Sequence, residues 1–200
     1  HLYRILVMCG TVAYIGKKQA YPIILKGLKR LEYRGYDSAG IATLTGTSGF
    51  QLHRAVGRID NLAERIDQTP MQGSTGIGHT RWATHGAATE ENAHPHMGGH
   101  EIVAVVHNGV IENYQVLKEM LQEKGYVFQS ATDTEVVAHL VSEQVEAGHA
   151  PADAVKAMLP RLRGAFALAI AFRQFPDFLI GARLGSPLVV GYGDGETFLG

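Results

Sequence analysis

The apolar residues of this chain change their spacing in blocks, and that block order narrows the folds open to it more than any single motif does. Gly10 to Ile15 is a short apolar run bounded by Gly16 and two lysines, which predicts a buried strand. Ile24, Leu25, Leu28 and Leu31 then recur at helical spacing and predict a helix over Ala20 to Glu32, with Pro22 in the first turn, where no helical partner is lost. Strands are predicted at Gly40 to Leu44 and Gln51 to Val56, a short helix at Ile59 to Ile66, and a glycine-rich strand at Ser74 to Arg81. Trp82 to Gly99 is polar and has no period, so it reads as a long ordered loop or a broken strand. Ile102 to Val106 is a continuous apolar run of the buried-strand kind. Three helical patterns follow, after Asn113, from Thr134 and over Ala154 to Leu159. Four further strands are predicted at Phe166 to Phe172, Phe178 to Ala182, Leu188 to Tyr192 and Thr197 to Leu199. Strands and helices in blocks favour an α+β fold with antiparallel sheets over a doubly wound parallel sheet.

Composition bounds what such a chain does. Two hundred residues make one domain, and a net charge of −1 with no lysine–arginine run gives no footprint for nucleic acid. The single cysteine cannot form an internal disulfide, which suits a reducing compartment. The longest apolar run, Ala165 to Phe172, is far short of the about 20 residues that span a bilayer, and His1 to Met8 lacks the pattern of a signal peptide. The expectation is a soluble cytoplasmic protein with neither membrane nor nucleic acid as a partner.

The lone cysteine, Cys9, directly follows Met8. Translation from Met8 with removal of the methionine would leave Cys9 with a free α-amine, which can take the thiol proton without a histidine base. The two groups titrate close together, at about 8.5 for a thiol and about 7.7–8.0 for an α-amine. A buried, inert cysteine is the plain alternative. His79 to Gly86 packs Arg81, Trp82, Thr84 and His85 together; a guanidinium fork holds a carboxylate and an indole can wall a ligand, although a surface arginine stacked on tryptophan has the same spacing. His107-Asn108-Gly109 at a strand end can supply a side-chain amide and a main-chain N–H to an oxyanion, or can be a plain turn. Asp133 lies at a helix start, where it serves as an N-cap or binds an ammonium. Arg34 to Ser38 is a helix stop or a loop lining a pocket. Six of the ten histidines fall between His79 and His107, a concentration that also admits a metal site, although no His-Glu-x-x-His motif is present.

In their order along the chain these stretches resemble the glutaminase domain of the class II glutamine amidotransferases, which are N-terminal-nucleophile enzymes. The resemblance is carried by Met8-Cys9-Gly10, Leu31 to Gly40, His79 to Gly86, Asn92 to His96, His107 to Asn113, Thr132 to Glu135 and Gly185 to Leu188. Within that group the chain is most similar to the glutamine–fructose-6-phosphate aminotransferases (glucosamine-6-phosphate synthases). The sister phosphoribosylpyrophosphate amidotransferases differ in the Tyr-Arg-Gly and Thr-Arg-Trp stretches. The resemblance implies a four-layer αββα sandwich of two antiparallel sheets. It implies Cys9 as nucleophile with its α-amine as base, and Asn108 and Gly109 as the oxyanion hole. It also implies Arg81 on the α-carboxylate of L-glutamine and Asp133 on its α-ammonium. Trp82 would lie on the closing loop, Thr84 and His85 along the pocket, and Arg34 would order the neighbouring loop. No cofactor and no metal are implied. Fructose 6-phosphate would be the acceptor of ammonia in isomerase domains absent from this chain, and the full-length protein would be a homodimer.

Thr11 and Ala13 stand where the family commonly has isoleucine and glycine, and Ala88 where proline is frequent, which touches packing more than chemistry. The larger departure is at the start. As written, Cys9 is not the first residue. The expected organisation is an extension over residues 1–8 (a mis-assigned start, an expression remnant or a propeptide) and a C-terminally truncated glutaminase domain over 9–200. Two other functions stay open at this point: a metal-dependent hydrolase using the histidine cluster, and a non-catalytic glutamine-binding regulatory domain with Cys9 blocked.

Overall fold

A computed structural model of the chain describes residues 9–46, 48–83 and 85–200. The expected extension over residues 1–8, and Thr84, lie outside the described residues. The first sheet is built from β1 (Gly10–Ile15), β2 (Ser38–Leu44), β3 (Phe50–Val56), β4 (Thr75–Arg81), β9 (Val190–Gly193) and β10 (Glu196–Leu199), in the order β3-β2-β4-β1-β10-β9. The second holds β5 (His96–Gly98), β6 (Val103–Ile111), β7 (Gly164–Phe172) and β8 (Phe175–Leu184), in that order. All these strand pairs are antiparallel.

Side-chain alternation builds the layers. On β6, Val103 and Val105 pack against α3 (Tyr114–Glu123), α4 (Thr134–Glu146) and α5 (Pro151–Met158), while Ala104 and Val106 point the other way. They meet Ala13, Ala42, Leu44 and Ile77 of the first sheet in a thin core between the sheets. The outer face of the first sheet is covered by α1 (Ala20–Leu31) and α2 (Ile59–Gln68) through Ile24, Leu28, Ile59, Leu62 and Ile66. Ile24 and Leu28 are completely buried, each contributing about 1.5–3 kcal/mol of transfer free energy. The close approach of α1 explains the glycines of β4: a Cβ at Gly78 would lie 2.4 Å from Ile24 Cγ2. The result is the expected four-layer αββα sandwich. Among the described residues no helix is long and apolar enough to cross a membrane.

Two local expectations differ. The strand expected to stop at Val106 continues to Ile111, so Asn108 and Gly109 lie inside β6, paired with Ala167 and Phe166, rather than in a turn. The aperiodic stretch after Trp82 is mostly loop but ends in the short β5.

Candidate active site

Antiparallel register brings the chemical residues together. Gly10 pairs with Thr80, and its N–H donates to Thr80 Oγ1 at 3.0 Å, which seats Cys9 beside the end of β4. There the chain leaves the sheet through Arg81 and Trp82. The Trp82 N–H donates to Cys9 Sγ at 3.1 Å, and Sγ lies 3.7 Å from the Trp82 carbonyl oxygen. Burial pushes the Cys9 thiol above its ordinary range, while the Trp82 N–H pulls it back down; Asp37 adds to the rise and Arg81 opposes it. The thiol is therefore protonated at neutral pH and needs a base. Among the described residues no imidazole or carboxylate hydrogen-bonds Sγ.

Asn108 reaches Cys9 from the second sheet. Its Nδ2–H donates to the Cys9 carbonyl oxygen at 3.0 Å, and its Oδ1 lies 2.9 Å from His79 Nε2. Gly109 is held at φ 127°, and a Cβ there would sit 2.1 Å from the Ala165 carbonyl oxygen, so only glycine fits. Asp133 is buried just before α4 but does not cap it. Its Oδ2 accepts the Ile111 N–H at 2.7 Å, tying the helix start to the end of β6. Of the nine residues expected at the site, Thr84 lies outside the described residues; the other eight line one cavity of about 720 Å³. That volume suits a small ligand.

Their individual contacts refine several expectations. Arg81 is buried, and its guanidinium donates to the main-chain carbonyls of Ala87 (3.1 Å), Gly86 (3.0 Å) and His85, so it shapes the loop as well as lining the cavity. Trp82 stacks edge-on against Tyr36, with ring centroids 5.8 Å apart. His85 packs edge-on against Tyr114. Arg34, expected to order the neighbouring loop, donates through Nε to the Tyr33 hydroxyl at 3.1 Å. The Asp37 carboxylate accepts the Ala83 N–H and so ties the loop after Trp82 to the segment after Arg34.

Three supporting residues carried no role at the sequence level. Asp37 lay in a motif with two structural readings. Asn92 bridges two loops, donating to Ala87 O at 3.0 Å and accepting the Ala131 N–H at 2.8 Å. Glu135 accepts the N–H groups of Gln129 (2.8 Å) and Ser130 (2.7 Å) and the Ser130 hydroxyl (2.6 Å), which fixes the turn before Asp133. Burial alone would raise the Glu135 carboxyl; the His139 ring, 3.5 Å away, and the hydrogen bonds from Ser130 and these main-chain groups outweigh it and hold it at about 2.

The histidine concentration forms a packed polar core. His79 and His94 stack at 4.2 Å, and His94 meets His96 at 4.8 Å. Thr134 Oγ1 lies 2.9 Å from His107 Nδ1 and 3.3 Å from His94 Nε2, and Thr132 Oγ1 lies 3.0 Å from His96 Nε2. Burial lowers all four rings, with His79 and His96 near 3, so they are neutral. Among the described residues no three His, Cys, Asp or Glu side chains converge as a metal site would require.

Comparison with known proteins gives a consistent result. The family model described as "Glutamine amidotransferase domain" matches residues 79–199. A glutamine–fructose-6-phosphate aminotransferase (isomerizing) of Zymomonas mobilis is 57% identical over 193 residues, covering 96% of this chain and 31% of that protein. Its counterpart in Gluconobacter oxydans is 54% identical over 193 residues, with the same coverage of each chain. Among solved structures, the glutamine phosphoribosylpyrophosphate amidotransferase from B. subtilis superposes with a TM-score of 0.79 at 29% identity, over 94% of this chain and 41% of that one. The chain thus spans about a third of the length of the curated relatives it matches.

Proposed function

The chain belongs to the glutamine amidotransferase domain family, and from that premise we propose that it hydrolyses L-glutamine through a cysteinyl thioester at Cys9. The observation that carries this reading is the convergence on one cavity of a half-buried thiol, a side-chain amide, a guanidinium and a carboxylate from four separate segments. Cys9 Sγ attacks the side-chain carbonyl carbon of glutamine, and its proton passes to the α-amine of Cys9. The oxyanion accepts from Asn108 Nδ2–H and the Gly109 N–H, donors that act as charge develops. Collapse breaks the C–N bond, the ammonium of Cys9 returns its proton to the leaving nitrogen, and ammonia departs. Water then attacks the γ-glutamyl thioester, again with the amine as base, and releases glutamate and the thiol.

Arg81 holds the substrate α-carboxylate and Asp133 its α-ammonium. Trp82 covers the bound glutamine, His85 lines the pocket, and Arg34 orders the neighbouring loop. The amine acts only where Cys9 is N-terminal, because an amide nitrogen has its lone pair delocalised into the carbonyl. In the whole protein the ammonia converts fructose 6-phosphate to glucosamine 6-phosphate in separate isomerase domains. A cytoplasmic homodimer completes the reading. The identity to glutamine–fructose-6-phosphate aminotransferases supports that acceptor.

The two other functions have less behind them. The histidines that a metal hydrolase would use are committed to stacking and to Thr132 and Thr134. A purely binding domain has no use for a thiol that lines the same cavity as the Asn108 amide. The test is covalent: a glutamine analogue with an electrophilic diazoketone in place of the amide should label Cys9 once its amine is free, as located by peptide mapping. An adduct on a histidine, or none on the processed protein, overturns the reading.

A further inference from the structure

His79 is buried on β4 and faces Asn108 across the gap between the sheets. The Cys9 carbonyl oxygen can only accept a hydrogen bond, so Asn108 must turn its Nδ2 toward Cys9, at 3.0 Å, and its Oδ1 toward His79. Oδ1 also only accepts, so the ring must donate to it from Nε2, at 2.9 Å. A neutral imidazole has one N–H, and committing it to Asn108 leaves Nδ1 bare. His79 Nδ1 is indeed buried with no hydrogen-bond partner among the described residues. Buried polar atoms without partners are uncommon in folded proteins, and this one is the counterpart of the bond to Asn108.

The ring cannot easily swing away. It stacks on His94, with centroids 4.2 Å apart and planes inclined by 21°. His94 is itself held, its Nδ1 3.4 Å from the His107 N–H and its Nε2 3.3 Å from Thr134 Oγ1. Burial, with a smaller opposing effect from the Asn108 bond, takes the His79 ring down to about 3, so it stays a neutral, single-donor group through the neutral range.

We infer that His79 is a positioning residue for glutamine hydrolysis, its Nε2–H locking the Asn108 amide in the one orientation that presents nitrogen to the nucleophile's side. The inference rests on the glutaminase reading above, because an oxyanion donor is what the locked amide supplies. Without the lock the amide can rotate by half a turn and offer its oxygen to the developing oxyanion. The loss falls on the transition state rather than on ground-state binding.

The experiment uses the whole chain with Cys9 as its first residue and compares His79→Leu, which removes the donor, with His79→Gln, whose side-chain N–H reaches a similar point. Loss of an oxyanion donor outright costs about 10²–10³ in kcat, so a loosened one in His79→Leu should cost about 10- to 100-fold. KM for glutamine should stay within about twofold, as for a contact made in the transition state. His79→Gln should recover most of the lost kcat, which a merely structural role for the imidazole would not produce. In the unsubstituted chain, ¹⁵N spectra of labelled histidine, assigned by the signal lost in His79→Gln, should show His79 protonated at Nε2 alone near neutral pH. Native kcat in His79→Leu, no recovery in His79→Gln, or an Nδ1-protonated ring each overturns the inference. If the unsubstituted chain releases no glutamate, the hydrolysis reading itself fails, and the tautomer measurement still decides whether the lock exists.

Discussion

The main-chain N–H of Trp82 donates to Cys9 Sγ at 3.1 Å, so the residue whose indole borders the cavity also holds the nucleophile through its backbone. The two are 73 positions apart and meet because Gly10 pairs with Thr80 in the first sheet. Anything that moves the loop after Arg81 therefore moves a hydrogen bond to the reacting atom. The position of that loop and the placement of the thiol are coupled through one peptide group.

Asn108→Ala should lower kcat far more than it alters glutamine binding. In the mechanism proposed above the amide acts mainly on charge that exists only in the transition state, and removal of one such donor costs about 10²–10³ in kcat. Steady-state kinetics on the processed protein measure this. Near-normal turnover would leave Asn108 as an ordinary strand residue between His79 and Cys9.

Asp133→Asn and Arg81→Lys should each raise KM for glutamine. Loss of one charge-assisted contact to the amino-acid zwitterion costs about 1.5–3 kcal/mol. Arg81→Lys should be the worse of the two, because lysine lacks the planar fork and Arg81 also anchors the Gly86 and Ala87 carbonyls. Unchanged KM in both variants would show that the clamp lies elsewhere in the cavity.

Glu135→Gln should destabilise the fold at neutral pH by about 1.5–3 kcal/mol, the worth of hydrogen bonds to a charged acceptor. The folded carboxyl titrates at about 2, below its unfolded value, so its stabilisation is fully present above the unfolded pKa. It disappears as pH falls through about 2, and the two proteins should converge there. Urea unfolding at a series of pH values checks the sign; a gap that widens on acidification contradicts it.

Much of the fold was legible because the helical period and the continuous apolar runs were both clear. Ile24 and Leu28 placed α1, and the apolar run Ile102 to Val106 placed the first part of β6, before any contact was known. What escaped was polar and buried. β6 read as ending at Val106 because His107, Asn108 and Gly109 look like a turn, yet the His107 ring is buried against Thr134 and Gly109 pairs with Phe166. Asp37, Asn92 and Glu135 drew no individual role, since their partners (Ala83, Ala131 and Gln129) are set by tertiary structure. His79 did carry one usable signal. It stands in alternation with Ile77 and Arg81 on β4, so it shares the face that Ile77 turns toward the second sheet.

The account turns on the nitrogen of Cys9. Two forms of the chain would be made, one with Cys9 as its first residue and one with the Met8–Cys9 bond intact, each N-terminus established by intact mass. Glutamate release from glutamine would then be measured on both at neutral pH. Release should occur only with the free α-amine, because an amide nitrogen cannot take the proton of a thiol that burial already holds high. Equal rates from the two forms would mean that another group is the base and that the mechanism proposed for Cys9 is wrong.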